Sequence, residues 1–417
     1  MSFLTTITRM WLTRSLEPFR FRNEYDEALP FQECERLGLY VHIPFCKRIC
    51  SFCPYCKVPY REELCNRYID ALLREIHMIG GQYEGQFPAT SLYFGGGTPA
   101  LAHGRIGEVV SALREHFVIT DGIGLELHPD NVTVSTLEEL KAAGVTKISI
   151  GVQSFHEKYQ RILGRKSVRP EALSEALSAV PFETVSMDFI FALPGQTFDD
   201  IRADLETAFR SGANCVAIYP FIDFDFTPSD VPVMRPKEKR VLLDKITRYC
   251  AEQGWKRETI WTFSSVQNAR YSSMTRESYL GFGCSAVSLL RQQFKVNTFS
   301  VEEYCRRIDA GKLPTSLTLR FTERQRMVYW LFWTAYGMRV DSRDFEHYFG
   351  VPLRKMYGAE LAAAIRAGLA TEKDGVYEMT DKGAFYYHYY ENFYTLAYID
   401  KMWGILREEA FPESLTL

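Results

Sequence analysis

The chain has 417 residues, a net charge of −3 and 46% hydrophobic residues, as is ordinary for a folded protein of one large domain with appendages or of two to three domains. This charge excludes the global basic field that recruits nucleic acid, so no nucleic-acid partner is expected. The sequence has no run of about 18 uncharged apolar residues and no signal-peptide pattern at its start. We therefore expect a cytoplasmic protein without a membrane-spanning helix.

The N-terminal segment, residues 1–36, is predicted to form an amphipathic extension. Its apolar side chains, among them Ile7 and Trp11, are interspersed with the basic Arg9 and Arg14. Amphipathic segments with aromatic residues can lie in a membrane interface. Peripheral contact with the inner face of the membrane is therefore one hypothesis for this chain.

Residues 37–235 alternate short apolar runs, typical of buried strands, with segments of helical periodicity. The predicted strands are Leu39–Ile43, Ser91–Phe94, Leu125–Leu127, Lys147–Ile150, Ser186–Phe191 and Cys215–Tyr219. The predicted helices are Asn66–Ile79, Ile106–Phe117, Leu137–Ala143, Ala172–Ala179 and Phe198–Ser211. Such alternation predicts the α/β class, here a partial (β/α)6 TIM-like barrel with its chemistry at the carboxyl ends of the strands.

The pattern changes after the barrel. Residues 236–318 are predicted to be a connecting region, with a helix at Lys237–Gln253 and a strand at Thr259–Phe263. Residues 319–417 are helical and rich in aromatic side chains, with a β-like stretch at Gly375–Met379. This order of elements predicts a small C-terminal winged-helix-like α+β domain.

Four of the ten cysteines lie within eleven residues, directly after the first predicted strand: Cys46, Cys50, Cys53 and Cys56. Thiolates favour iron–sulfur clusters and zinc. Zinc sites usually use two separated cysteine pairs, and no second pair follows here, so zinc is the weaker alternative. Three thiolates would leave one iron of a cubane cluster open to an outside molecule, whereas a fourth would close it. We interpret Cys56 as a nearby thiol that does not bind iron.

Further polar residues follow the later strands. A glycine-rich turn, Gly95–Pro99, follows the second strand and lets the backbone approach a ligand closely. Glu126, Gln153 and Asp188 lie at or near the ends of the next three strands, and Arg165 can grip a carboxylate with its planar fork. Each alone is as consistent with a structural hydrogen bond. Together, at successive strand ends, they indicate one binding site.

The segment from Tyr40 to about Ser288 resembles the radical S-adenosylmethionine (SAM) enzymes related to oxygen-independent coproporphyrinogen III dehydrogenase. It carries, in family order, Tyr-x-His-Ile-Pro-Phe-Cys-x3-Cys-x-Phe-Cys, Gly-Gly-Gly-Thr-Pro, Gly-Val-Gln-Ser-Phe, Asp-Phe-Ile-Phe-Ala-Leu-Pro-Gly-Gln-Thr and Tyr-Leu-Gly-Phe-Gly-Cys-Ser-Ala. The resemblance implies a [4Fe–4S] cluster on Cys46, Cys50 and Cys53. It also implies binding of SAM, with a second molecule near Gly283–Val287. The implied cofactor-binding residues are Tyr40, His42, Phe52, Gly96, Gly97, Thr98, Glu126, Gln153, Arg165, Asp188, Ile222 and Val287.

Departures from the family pattern bear on the reaction. The third ligand cysteine is followed by Pro-Tyr-Cys56 and not by x-Cys, and the segment Asn268–Leu280 lacks both the Arg-Asn-Phe-Gln-Gly-Tyr run of the coproporphyrinogen enzyme and the His-Asn of the haem chaperones. What remains resembles the class C radical SAM methyltransferases. These use two SAM molecules to methylate an sp2 carbon of an aromatic small molecule, here best a menaquinone naphthoquinone ring. A flavodoxin or ferredoxin is the expected reductant.

Two other functions remain open. One is a porphyrin enzyme, either a coproporphyrinogen III oxidative decarboxylase or a haem-degrading radical SAM enzyme, and the other is a non-catalytic haem chaperone. The aromatic tail, nine residues between Phe385 and Trp403, is read first as core packing. Contact with a lipid-borne quinone at the membrane surface is the alternative. No catalytic residue beyond the cofactor site, and no role for Cys284, is assigned.

Overall fold

The structure is a computed structural model that describes residues 3–222, 234–266 and 277–417. Within these ranges no helix is both long and apolar enough to cross a bilayer. Its strands are β1 (Arg20–Arg22), β2 (Leu37–Ile43), β3 (Phe45–Cys46), β4 (Val58–Pro59), β5 (Phe87–Gly96), β6 (Phe117–Ile119), β7 (Ile123–Leu127), β8 (Lys147–Gln153), β9 (Thr184–Phe191), β10 (Cys215–Pro220), β11 (Lys256–Arg257), β12 (Thr262–Ser264), β13 (Ser278–Phe282), β14 (Val287–Leu289), β15 (Gln293–Asn297), β16 (Thr315–Arg320), β17 (Arg339–Asp341), β18 (Ala370–Lys373), β19 (Val376–Met379) and β20 (Ser414–Thr416).

The α-helices are α1 (Phe3–Thr13), α2 (Glu62–Gly80), α3 (His103–His116), α4 (Val134–Ala142), α5 (Glu157–Ile162), α6 (Pro170–Ala179), α7 (Phe198–Arg210), α8 (Pro236–Glu252), α9 (Val301–Asp309), α10 (Glu323–Tyr336), α11 (Ser342–Phe349), α12 (Leu353–Arg366), α13 (Asp381–Tyr394) and α14 (Asp400–Glu408). Short 3-10 turns occupy Phe31–Glu33, Pro99–Ala102 and Pro129–Asn131, and a π-helical turn, Thr395–Ile399, joins α13 to α14.

The six strands predicted from the apolar runs form the parallel half of the main sheet. They lie side by side in chain order, β2-β5-β7-β8-β9-β10, with all neighbours parallel. β10 pairs on its outer edge with antiparallel β12 and not with β2, so the barrel is open. The predicted partial (β/α)6 barrel is therefore confirmed. Its strands are near-continuous apolar runs because helices cover a parallel sheet and bury its strands.

The other edge of β2 carries strands that the apolar runs did not predict. β13 adds to β2 in parallel, and β14, β15, β16, β1 and β20 follow it antiparallel. The N-terminal segment thus contributes β1, which lies between β16 and β20, and is joined to the main sheet by backbone hydrogen bonds. The loops after β2 and after β13 consequently open on the same side of the sheet.

The C-terminal domain has the predicted winged-helix-like order, α10-β17-α11-α12-β18-β19, with an antiparallel sheet in the order β17-β19-β18. It has a hydrophobic core of its own, formed by Met327, Trp330, Val340, Phe345, Leu353, Tyr357 and Tyr377. The β-like stretch predicted at Gly375–Met379 is β19. Helix α13 packs Tyr387, Tyr390 and Tyr394 against Phe332 of α10. Tyr387 stacks on Phe332 at 5.0 Å between ring centroids, and Tyr394 lies 5.1 Å from the same ring.

One predicted strand is displaced. The strand expected at Thr259–Phe263 begins only at Thr262. The hydroxyl of Thr259 accepts a hydrogen bond from the Trp261 N–H (3.3 Å) and bonds the Thr262 hydroxyl (2.9 Å). This local turn competes with strand pairing, as serine and threonine side chains often do. Most of Asn268–Leu280, where family motifs are missing, lies outside the described residues.

A buried carboxylate joins α2 to the turn after β13. Glu75 is fully buried, and its Oε2 accepts hydrogen bonds from the Gly283 N–H and the Tyr304 hydroxyl, both at 2.7 Å. Asn297 Nδ2 lies 3.4 Å from Oε1 and also donates to the Gly283 carbonyl at 2.9 Å. Burial raises the pKa of Glu75 to about 7. This carboxylate therefore holds the conformation of the turn that follows β13.

Replacing Glu75 tests this role. Glu75→Ala leaves the Gly283 N–H and the Tyr304 hydroxyl without their buried acceptor, so we expect the free energy of unfolding to fall by about 2–5 kcal/mol. Denaturant unfolding monitored by circular dichroism measures it. Glu63→Ala, at an exposed position on the same helix, is the matched control and should change little.

The raised pKa also predicts a pH dependence. The folded chain holds the Glu75 proton more tightly than the unfolded chain does, so this contribution to stability is complete below about pH 4.5 and is lost as the pH rises through about 7. Glu75→Gln cannot ionise. We expect the stability of wild type relative to Glu75→Gln to fall between these two pH values, and a difference independent of pH would contradict the assignment.

Candidate active site

The cysteine loop begins where β2 ends. Cys46 closes the short strand β3, which pairs in parallel with β4 twelve residues later and so fixes both ends of the loop. Between them, Phe52 packs against a cluster at the ends of β9 and β10 formed by Tyr159, Leu163, Ile190, Leu193 and Phe221. Arg407 of α14 donates to the carbonyl of Tyr55 at 2.9 Å, and Trp403 contacts the Tyr55 ring. The loop is thus held from the barrel and from the C-terminal helix.

Cys46, Cys50 and Cys53 are half-buried free thiols that interact electrostatically with one another. Burial raises the pKa of Cys46 to about 11 and also raises the pKa of Cys50, while nearby Arg165 acts in the opposite direction on Cys50. The Thr98 hydroxyl donates to the Cys46 sulfur at 3.9 Å. A polynuclear metal group would compensate such desolvated sulfurs, because coordination deprotonates a thiol outright.

The spacing of the sulfurs distinguishes between metal groups. Tetrahedral zinc with bonds of about 2.3 Å brings its sulfur ligands within about 3.8 Å of one another. Among the described residues, these cysteines do not form a group whose sulfurs all lie within 4.8 Å.

Cys56 belongs to a different set of contacts. Its buried thiol donates to the Phe299 carbonyl at 3.3 Å, and a hydrogen bond with Cys284, aided by His42, lowers its pKa well below the usual range. Burial raises the pKa of Cys284, which is fully buried. The structure therefore places the Cys56 thiol in contact with the turn after β13.

The glycine-rich turn after β5 lies directly beside the cysteine loop. The Gly97 N–H donates to the Ile43 carbonyl and the Thr98 N–H to the Phe45 carbonyl, both at 2.8 Å. Gly96 has φ +121°, and a Cβ there would lie 2.8 Å from the His42 ring. Only glycine fits this position, because it needs both a positive φ and an empty side-chain site.

Two polar chains lead from this turn. His42 is buried, and its Nδ1 is 3.0 Å from the Tyr40 hydroxyl while its Nε2 is 3.1 Å from the Cys56 carbonyl. Glu126 accepts from the Gly96 N–H at 3.2 Å and from the Tyr93 hydroxyl at 3.0 Å. The structure thus brings four of the predicted residues close together in two neighbouring sets of hydrogen bonds, Tyr40 with His42 and Gly96 with Glu126.

The acidic groups of the site are strongly desolvated. Burial, together with the nearby charge of Glu126, raises the pKa of Asp188 to about 7, and burial also raises the pKa of Glu126. Asp188 accepts from the Ser149 hydroxyl at 3.0 Å. Arg165, whose pKa is lowered by burial, faces Cys50, Asp130 and Cys53. A cationic ligand placed between Glu126 and Asp188 would be stabilised by both carboxylates.

Backbone conformation also marks these strand ends. Gln153, the last residue of β8, has φ +70°, Ala192 after β9 has φ +65° and Ser285 after β13 has φ +55°. Non-glycine residues in this region cost about 1–3 kcal/mol each and collect at ligand sites. The predicted residue Gln153 is one of them, and the positive φ of Ala192 was not expected from the sequence.

The two remaining predicted residues lie at the edge of the candidate active site. Ile222 is half-buried just after β10, next to Phe221, whose N–H donates to the Phe191 carbonyl at 2.8 Å. Val287 begins β14 on the other side of β2, where its carbonyl lies 2.3 Å from the position of a Cβ on Gly281. Gly281 is in turn the register partner of Tyr40. Strand β13 therefore lies between Val287 and Tyr40.

The sequence analysis missed Tyr93, Ser149 and Glu75. The first two are hydrogen-bond donors to the predicted carboxylates Glu126 and Asp188. Ser149 lies two residues before Gly151 in β8, and strand alternation places the two residues on one face of the sheet. The position of Ser149 could therefore have been predicted from the sequence. Glu75 lies in a helix of ordinary amphipathic pattern, so its burial depended on elements far along the chain.

Comparison with known proteins agrees with this geometry. A family model described as the radical SAM superfamily matches residues 40–208. Anaerobilin synthase from Escherichia coli O157:H7 is 27% identical over 365 residues, covering 84% of this chain and 81% of that protein. The oxygen-independent coproporphyrinogen III oxidase of Pseudomonas aeruginosa is 25% identical and covers 83% of this chain and 81% of its own length. The heme chaperone HemW of Lactococcus lactis subsp. lactis is 26% identical and covers 82% and 93%.

The fold has a solved counterpart. The structure of coproporphyrinogen III oxidase (HemN) from Escherichia coli superposes with a TM-score of 0.75 at 22% identity, covering 91% of this chain and 96% of that one. None of these four proteins is named as a methyltransferase. Residues 40–208, which carry the cysteine loop and the glycine-rich turn at the carboxyl ends of β2 and β5, are therefore similar to the radical SAM superfamily, and most of the chain is similar to coproporphyrinogen III oxidases and haem chaperones.

Proposed function

We propose that this protein is a radical SAM enzyme that acts on a tetrapyrrole. The reaction class rests on one observation above all: three half-buried thiols lie beside Arg165 and the glycine-rich turn, and the Gly96 N–H of that turn donates to the desolvated Glu126. The substrate class rests on relatives named for anaerobilin, coproporphyrinogen III and heme, which are all tetrapyrroles. These names favour a porphyrin or haem substrate over the menaquinone ring expected from the sequence.

Cys46, Cys50 and Cys53 are the proposed ligands of a [4Fe–4S] cluster, with one iron left open. When bound, the cluster supplies the electron that cleaves SAM and yields a 5′-deoxyadenosyl radical. The residues around it have other tasks. The β3–β4 pairing and Phe52 fix the loop, Thr98 donates to the Cys46 sulfur, and Arg165 offsets the negative charge of the thiolates.

The proposed SAM site lies across the ends of β5, β7, β8 and β9. SAM carries an ammonium, a sulfonium, a carboxylate and ribose hydroxyls. Glu126 and Asp188 are the acceptors for its cationic and hydroxyl groups, and Arg165 is the partner for its carboxylate. Gly96 and Gly97 let the backbone approach the ligand, while Gln153 is held in position by the turn at the end of β8. Tyr40, His42 and Ile222 complete the surroundings.

A second candidate is methyl transfer to an sp2 carbon with a second SAM molecule. It is favoured by the turn Gly283–Val287, which contains a non-glycine residue with positive φ, Ser285, and touches the cysteine loop through Cys284 and Cys56. The acceptor ring in this case is a tetrapyrrole or a naphthoquinone. This candidate and the first share the cluster and the first SAM site, so the reaction product distinguishes them.

The remaining partners are also proposals. A flavodoxin or ferredoxin is the proposed reductant. Ile7, Trp11 and Leu16 are exposed on and just after α1, the arrangement needed for peripheral membrane contact of a cytoplasmic protein. Among the described aromatic side chains of the tail only Tyr386 is exposed, while the others are half-buried or buried, which leaves α1 as the better surface for such contact.

Cysteine variants test the ligand assignment. Cys46→Ala removes a ligand and should abolish both the cluster and 5′-deoxyadenosine formation. Cys56→Ala, on the same loop, should retain the cluster because its thiol contacts Phe299 and Cys284. Iron and sulfide content with the visible absorption of the anaerobically reconstituted protein measures both. Loss of the cluster in Cys56→Ala would overturn the assignment of three ligands.

Substrate trials test the tetrapyrrole proposal. The reconstituted protein is supplied with SAM and a reductant, and separately with coproporphyrinogen III, haem or a demethylated menaquinone. We expect a tetrapyrrole to accelerate 5′-deoxyadenosine formation and to change in mass, with Cys46→Ala inactive. A gain of one methyl group identifies the second candidate. A tetrapyrrole that binds without SAM cleavage indicates a chaperone, and turnover of the quinone alone would contradict the proposed substrate class.

The pKa of Asp188 predicts how SAM binding varies with pH. Because burial raises this pKa to about 7, the free protein carries a neutral Asp188 at lower pH and an ionised one above it. Affinity for the cationic SAM should therefore fall as the pH drops through about 7. Asp188→Asn should bind more weakly above pH 7 and show a flatter profile, whereas Asp199→Asn, an exposed carboxylate on α7, should behave as wild type. Equilibrium dialysis with labelled SAM provides the measurement.

A further inference from the structure

Three metal-binding side chains converge far from the cysteine loop, at the ends of α2 and α3. His77 lies in the last turn of α2, and Glu115 and His116 end α3. His77 Nδ1 is 3.0 Å from His116 Nε2 and 3.9 Å from Glu115 Oε2, and one ligand atom from each residue lies within 4.8 Å of the others. In the part of the chain that the structure describes, no other group of histidine, cysteine and carboxylate side chains meets this criterion.

The placement of the second imidazole depends on a glycine. A Cβ on Gly80 would lie 2.3–2.6 Å from three atoms of the His116 side chain, so the ring rests on bare backbone that no other residue would leave open. Gly80 is one helical turn beyond His77 and on the same face of α2. The His116 ring is thereby directed at His77, with the rings 5.3 Å apart and nearly perpendicular.

An ordinary exposed histidine–glutamate pair does not have this geometry. His103 with Glu139 and His347 with Glu35 are both 2.6 Å apart, but each is one imidazole with one carboxylate. At His77 two imidazole nitrogens and a carboxylate face a common point. Tetrahedral zinc with Zn–N bonds of about 2.0–2.1 Å requires a nitrogen–nitrogen distance of about 3.3 Å, close to the distance observed. In the absence of metal, a single N–H···N hydrogen bond accounts for the same contact.

We propose that His77, Glu115 and His116 form a binding site for a divalent late transition-metal ion, with Zn²⁺ as its representative. Two imidazoles and one carboxylate are a ligand set that Zn²⁺ accepts with water in the fourth position. The exposure of Glu115 and His77 gives the ion access from solvent. The bound ion links the end of α2 to the end of α3, and it stabilises the folded chain because the site does not exist in the unfolded one.

Zinc titration of the full chain tests the site. The [4Fe–4S] cluster is reconstituted first, so that Cys46, Cys50 and Cys53 are occupied and do not compete for zinc. Zn²⁺ is then titrated anaerobically against a chromophoric chelator. We expect wild type to bind one equivalent that is lost in His77→Ala and His116→Ala and weakened in Glu115→Gln. His103→Ala, which removes an exposed histidine beside a carboxylate on the same helix α3, should bind as wild type.

X-ray absorption at the zinc edge identifies the ligands. The equivalent that the His116→Ala variant loses should show nitrogen and oxygen neighbours with imidazole scattering and no sulfur. Zinc should also raise the thermal unfolding midpoint of wild type but not of His116→Ala. Equal zinc binding in wild type and both histidine variants, or sulfur in the first shell of the bound zinc, would overturn the proposal. Because Glu115 is exposed, Glu115→Gln should fold normally, and unchanged affinity in it would exclude Glu115 as a ligand.

Discussion

The parallel pairing of β2 on both of its edges is the constraint on which the site depends. Tyr40 has Tyr93 of β5 as its register partner on one side and Gly281 of β13 on the other. Because parallel strands end on the same side, the cysteine loop, the glycine-rich turn and the turn after β13 open together. A slip of β2 by one residue would turn Tyr40 and His42 together to the opposite face and separate both from the glycine-rich turn.

Desolvation gives this arrangement its chemical character. Glu75 is buried and Glu126 and Asp188 are half-buried, and desolvation raises the pKa of all three carboxyl groups. Such groups reduce stability unless donors surround them, and each here accepts from a hydroxyl or a backbone N–H. Glu75 is fully satisfied by protein groups and shapes a turn. Asp188 accepts from the Ser149 hydroxyl and lies near the charge of Glu126, and this surplus of negative charge suits it to a cationic ligand.

Local pattern was sufficient for much of the fold and for the centre of the site. Short apolar runs with intervening helical periodicity predicted the six strands of the barrel, because a parallel sheet covered by helices requires that composition. The clustering of Cys46, Cys50 and Cys53 likewise predicted a metal-binding loop. The strand at Thr259–Phe263 was misplaced because a threonine side chain forms a turn there. The addition of β13 and of the antiparallel strands went unpredicted, since their pairing partners are distant in sequence.

The sequence by itself determined the cysteine loop and the strand–helix alternation, because these depend on spacing within a few tens of residues. Only the tertiary structure decided the separate position of Cys56 with Cys284, the burial of Glu75 and the contact of His77 with His116. Each of these joins residues more than thirty positions apart. Whether a polar side chain becomes a ligand, a buried structural group or a spectator depends on what other elements place around it, and that is a property of packing and desolvation.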